Sequence, residues 1–120
     1  MEYTYSFEKL EVWQMSRELV KKVYIITSLF PADEKFGLTS QMRRAAISVS
    51  SSIADGSSRW GKNDKARFYE IAYGSLIEIL TQLILAGDLG YIDLDEIEKN
   101  RPKIDSIGRM LDALRKSTKF

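Results

Sequence analysis

A chain of 120 residues is the size of a single domain, and a content of 44% hydrophobic and 29% charged residues belongs to a globular protein. Eighteen Lys and Arg against seventeen Asp and Glu leave a net charge of +1, far from the strongly basic balance of a domain that binds nucleic acid by overall charge. With neither cysteine nor histidine, the chain cannot form disulfides, Cys/His zinc sites, the Glu-x-x-His pairs of di-iron bundles or a Ser-His-Asp triad.

The opening residues, MEYTYSFEKLEVW, carry neither a basic n-region nor an apolar h-region, so no signal peptide is expected. The absence of cysteine fits a reducing, cytoplasmic setting. Helical periodicity then appears four times, with no alternating apolar–polar run of the kind a strand requires. The first helix is expected over about residues 10–29. Val12, Ser16, Leu19, Val23, Ile26 and Phe30 form one 4-3-4-3-4 seam, and Trp13, Val20 and Tyr24 a second row beside it. Phe30-Pro31 ends it, because a residue before proline is pushed out of the α region.

Residues 31–38 read as a turn. Thr39 is then an N-cap candidate for a second helix over about 40–55, with Met42, Ala46, Val49 and Ile53 on its seam and Gly56 as its stop. GSSRWGKN forms a polar loop. A third helix follows over about 64–88, its end marked by Gly87 or Gly90. The fourth, over about 93–116, has the clearest start: Asp93 at the N-cap, Glu96 at N3, and Ile92 and Ile97 as a staple. Leu94, Ile97, Ile104, Ile107, Leu111 and Leu114 make its apolar face, and Pro102 is expected to kink or split it. Together these helices predict an all-α protein, an antiparallel up-down-up-down four-helix bundle in one domain.

The third helix is the most apolar. LIEILTQLILA (76–86) is too short and too polar to span a bilayer, yet apolar residues cover more than the 3/7 of positions a bundle helix normally buries. This predicts self-association, with Trp13, Tyr24, Leu76, Leu83 and Ile84 as candidates for the oligomer interface or for close packing. Gly74 and Ser75 predict close approach by a neighbouring helix. Glu70 and Glu78, the carboxylates that could face inward, are expected to be solvated or paired with arginines. No phosphate-binding GxxxxGK[ST] loop is present. The chain is therefore read as a non-enzyme, with no catalytic residue, metal ligand or cofactor and no membrane partner.

Charge is uneven. Residues 38–67 carry six basic and two acidic side chains, a local balance of +4. Arg59, Lys62 and Lys65 surround Trp60 in a glycine-flanked loop, a combination of cations and stacking ring that nucleic-acid surfaces use. Arg43 and Arg44 are further candidates. Neighbours on a helix point roughly 100° apart, so at most one of them is expected to face the loop's partner.

Several segments resemble a known family. Phe30-Pro31, Glu34, Phe36-Gly37-Leu38-Thr39 and Gln41 are similar to its turn. MRRAAISVSSSIADG (42–56) is similar to its second helix, and Arg67-Phe68, Ile71-Ala72, Gly74-Ser75-Leu76 and Glu78 to its third. FEKLEVW (7–13) fits its opening. This is the family of four-helix bundle proteins encoded by intervening sequences within bacterial 23S ribosomal RNA genes, also called the S23 family. The resemblance implies a homopentamer without established enzymatic activity. It extends to accessory proteins of diversity-generating retroelements, which bind nucleic acid and a reverse transcriptase. Ser50 stands where the family pattern has Pro, Ser52 where it has Asn and Asp55 where it has Glu, and without the proline the second helix is expected to be straighter. The combined expectation is a homo-oligomeric interaction module that contacts RNA or a ribonucleoprotein partner through its basic loop. The alternative is a structural or protein-binding oligomer with no nucleic-acid role.

Overall fold

The computed structural model describes residues 4–118. Four helices account for most of them: α1 (Glu11–Thr27), α2 (Leu38–Ser58), α3 (Lys62–Asp88) and α4 (Leu94–Ser117). A 3-10 turn at Ser6–Lys9 precedes α1 and another at Ala32–Glu34 lies in the α1–α2 connection. Each helix packs against its sequence neighbours, and α4 returns to α1, so α1/α3 and α2/α4 are the diagonals of the bundle. The contact between α2 and α3 is the most extensive and that between α1 and α4 the least.

The periodic seams close the core. Val12, Ser16, Leu19, Val23, Ile26 and Phe30 are all buried, and Met42, Ala46, Val49 and Ile53 are fully so. α3 contributes Ala66, Tyr69, Ala72, Leu76, Ile79, Leu83 and Ala86, and α4 contributes Ile97, Ile104, Ile107 and Leu111. Leu94 departs from its expected facing and lies in solvent, while Ile92 and Ile97 on either side of it pack on the core. Leu76 and Leu83, expected at an oligomer interface or in close packing, are 1% exposed within the protomer. They belong to its core, because α2 and α4 flank α3 on both sides of that stripe.

Polar side chains refine the packing. The Ser50 hydroxyl donates to Ser16 Oγ (2.9 Å), which donates in turn to the Trp13 carbonyl (2.6 Å), so the serine that replaces the family's proline ties α2 to α1. Ser48 and Ser75 hydroxyls meet at 2.8 Å, which is the close α2–α3 approach expected at Ser75. Gly74 takes no part in it: a Cβ there would meet nothing within 4 Å, since residue 74 lies one position round the helix from that seam. Gln82 is buried with its carbonyl oxygen unpartnered among the described residues, a polar flaw in the core of about 1–3 kcal/mol.

Helix ends follow local chemistry that the sequence displays only in part. Asp93 caps α4 as expected, accepting the Glu96 N–H at 2.9 Å. Gly90, at φ +79°, closes α3 in a Schellman arrangement, with Tyr91 N–H bonded to the Ala86 carbonyl and Gly90 N–H to that of Gly87. Gly56 does not stop α2. The helix continues to Ser58, and Gly56 is instead the point where the Tyr69 ring sits, 2.8 Å from an added Cβ. Nor does Thr39 cap α2. The helix begins at Leu38, whose N–H donates to Glu34 Oε1 (3.0 Å). A Cβ on Gly37 would fall 2.6 Å from that oxygen, so glycine is what lets the carboxylate reach the helix start. α4 runs unbroken through Pro102. Proline forfeits only the bond to the Glu98 carbonyl, on an exposed position, while Asn100 Nδ2 donates to the Glu96 carbonyl (2.6 Å) one turn earlier.

Candidate nucleic-acid interface and apolar contact face

The basic residues of the 38–67 segment divide between the two ends of α2. At the C-terminal end, Trp60 is completely exposed. The Arg59 guanidinium lies over the Phe68 ring at 4.4 Å. Lys65 Nζ donates to the carbonyls of Ser57 (2.9 Å) and Gly56 (3.4 Å), placing its charge on the last turn of α2, where the helix dipole is negative. Lys62 is also engaged within the protein. The loop that looked best suited to a phosphate chain therefore spends much of its charge internally.

Arg43 and Arg44 lie some 16 positions earlier on the helix, about 24 Å away at 1.5 Å per residue. Arg43 Nε donates to Thr27 Oγ1 (2.9 Å), and its guanidinium covers the Tyr24 ring at 4.4 Å. Thr27 is 2% exposed and donates to the Val23 carbonyl (2.8 Å). Arg44 is exposed with no hydrogen bond or ion pair among the described residues. Despite their 100° separation, the two long side chains line one concavity of about 470 Å³, together with Lys35 and Phe36 of the preceding turn.

That turn has a hub the sequence reading missed. Glu34 accepts the Leu38 N–H with one oxygen and the Tyr91 hydroxyl with the other (2.7 Å). These bonds hold its carboxyl below the usual range, and the same contact raises the Tyr91 phenol. The signal was the Glu34–Phe36-Gly37-Leu38 spacing, in which the carboxylate precedes the helix it caps by four residues.

A second surface is apolar. Along the outside of α3, Ile71, Tyr73, Ile77, Ile84 and Leu85 are 39–46% exposed, with Gly74 open among them. By length and composition α3 could cross a bilayer, a test that the core helix of a bundle also meets, and its inner stripe is closed by α2 and α4. Tyr24 is 39% exposed beneath Arg43. Trp13 is half-buried under Phe7 and Arg17, with ring centroids 5.0 Å apart and the guanidinium 5.1 Å from its ring. Glu70 reaches Arg115 at 3.9 Å, and Glu78 stands in solvent. Among the described residues no group of three carboxylates or other ligands could hold a metal ion.

A compact all-α bundle with one apolar helix face and a divided basic surface defines the class. The chain belongs to the 23S rRNA-intervening sequence protein family, whose profile matches residues 8–113. No curated protein matches it. Among solved structures it is similar to a protein of unknown function from the S23 ribosomal protein family of Bacteroides thetaiotaomicron VPI-5482. The two are 19% identical, the match covers 88% of this chain and 98% of that one, and the TM-score is 0.80. At that identity the likeness shows a shared fold.

Proposed function

We propose that this protein is a non-enzymatic, homo-oligomeric interaction module, with five copies as the number that the family resemblance implies, and that it contacts RNA or a ribonucleoprotein partner through its basic surface. The observation that carries the assembly is the outer face of α3, where five large apolar side chains remain 39–46% exposed along one helix. Apolar side chains exposed along one side of a helix, here flanking the exposed Glu70, Glu78 and Thr81, support an interface there.

Light scattering coupled to gel filtration at micromolar concentration is expected to give a multiple of 13.8 kDa. A concentration-independent protomer mass overturns the assembly. Ile77→Glu is expected to reduce the mass while preserving helicity, because residue 77 is outside the protomer core; Leu83→Glu is expected to unfold the chain, because residue 83 is inside it. A pull-down from host cytosol with and without nuclease separates the RNA role from the second reading. That reading, a protein-binding oligomer with no nucleic-acid role, is favoured by the internal use of Arg59 and Lys65.

A further inference from the structure

We infer that the concavity between the last turn of α1 and the first turns of α2 binds one nucleotide unit of single-stranded RNA, its phosphate held by Lys35, Arg43 and Arg44 and its base stacked on Phe36. The inference rests on the RNA-contact reading above and moves the site to the opposite end of α2 from the Trp60 loop.

Shape, charge and order converge there. The hollow, of about 470 Å³, falls within the size range of small-ligand sites. Three cations line it, and none is within ion-pair distance of a carboxylate among the described residues. Elsewhere basic side chains such as Lys99, Arg101, Arg115 and Lys116 do have acidic partners. Glu34, in the same turn, accepts from the Leu38 N–H and the Tyr91 hydroxyl and makes no ion pair with the three cations.

Arg43 is built rather than merely present. Its Nε rests on the buried Thr27 hydroxyl and its plane on the Tyr24 ring. Its two terminal nitrogens make no hydrogen bond among the described residues, leaving the bidentate fork that suits a phosphate. Arg44 and Lys35 add charge with no hydrogen bond or ion pair among the described residues, Lys35 contacting only the Phe36 ring. Phe36 is 88% exposed, its ring 5.4 Å from Lys35 Nζ, and offers a free face to a base. Stacking ring and phosphate grip are thus adjacent, whereas at the other end of α2 Lys65 is bonded to the carbonyls of Ser57 and Gly56 and Arg59 lies over Phe68, away from Trp60's exposed ring.

The test is fluorescence anisotropy of the intact protein with a fluorescein-labelled single-stranded RNA of mixed sequence, over a range of salt. The Lys35→Ala/Arg44→Ala double variant is expected to raise Kd about 10-fold or more at low salt and to flatten the log–log salt slope by about 1.4, at about 0.7 per lost charge on a single strand. Phe36→Ala is expected to weaken binding about 5- to 100-fold, while Arg59→Ala and Trp60→Ala stay within about twofold on the same reasoning. Arg43→Lys, which keeps the charge but loses the fork, is expected to fall between Arg43→Ala and wild type. If the pocket variants bind like wild type and the loop variants weaken, RNA contact stands and this site is overturned. If wild type binds no RNA at low salt, both readings fall. Preferential binding to phosphatidylserine vesicles with the same variant pattern assigns the phosphate to lipid and also overturns the nucleotide site.

Discussion

The two ends of α2 carry similar residues and use them differently. Arg59 and Lys65, at the C-terminal end, turn onto the protein's own ring and carbonyls. At the other, Arg44 has no hydrogen bond or ion pair among the described residues and Lys35 touches only the Phe36 ring, around an arginine fixed by Thr27 and Tyr24. The reason is what each end offers. A helix C-terminus presents unpaired carbonyls and a negative dipole, which recruit cations. A helix N-terminus presents N–H groups, and here a carboxylate, Glu34, serves them. A charge count along the sequence cannot see this division.

The difference implies that the C-terminal end is a structural joint. The largest effect is expected at Gly56. A Cβ there would approach Tyr69 Cε1 to 2.8 Å and Phe68 Cβ to 3.1 Å. Gly56→Val is expected to lose about 1–3 kcal/mol by overpacking, read from urea unfolding. Gly74→Ala, with open space at its Cβ, is expected to gain up to about 1 kcal/mol from helix propensity. Equal stability of the two variants would remove the evidence for a tight joint.

A more modest effect sharpens the comparison directly. Lys65→Met removes two bonds to the last turn of α2 and is expected to cost about 1 kcal/mol, whereas Arg44→Met is expected to stay within about 0.5 kcal/mol, having no bond to lose. If Arg44→Met proves the costlier, the roles of the two ends are reversed.

Acid should reveal the N-terminal joint more weakly, since Glu34 is at the surface and screened. Its carboxyl is held below the ordinary glutamate value of about 4.3 by the Leu38 N–H and the Tyr91 hydroxyl. A depressed pKa stabilises the fold above the unfolded-state value, and that contribution disappears as pH falls through the folded-state value. Glu34→Gln is therefore expected to show a flatter fall in unfolding free energy below about pH 4.3. A slope identical to wild type would detach the Glu34 bonds from stability. The smallest effect belongs to Trp60→Ala: with the ring fully exposed, thermal unfolding is expected to shift by less than the equivalent of about 0.5 kcal/mol.

Much of this architecture was legible in the residues. The six-residue α1 seam and the four-residue α2 seam are buried throughout, and Asp93 caps where its spacing with Glu96 placed it. What failed was assignment by residue type alone. Gly56 resembled a stop and serves as a contact for Tyr69; Thr39 resembled a cap, a role filled by Glu34 from outside the helix. For Leu76 and Leu83 the sequence leaves interface and close packing both open, because α3 is apolar on many sides and nothing in a single helix says which apolar side its neighbours take; folding puts both in the core. The clustering of Lys35 and Phe36 with Arg43 and Arg44 was likewise hidden, because a turn and a helix face meet there only after folding.

By itself the sequence determined the class: four amphipathic helices, their order and most of their inner faces, because hydrophobic spacing at 3–4 residues is a local property that any partner helix satisfies. Only the tertiary structure decided which face of α3 stays outside, which glycine is a contact and which is open space, and which cations remain available. Those outcomes depend on distances between residues far apart in the chain, and helix packing sets them.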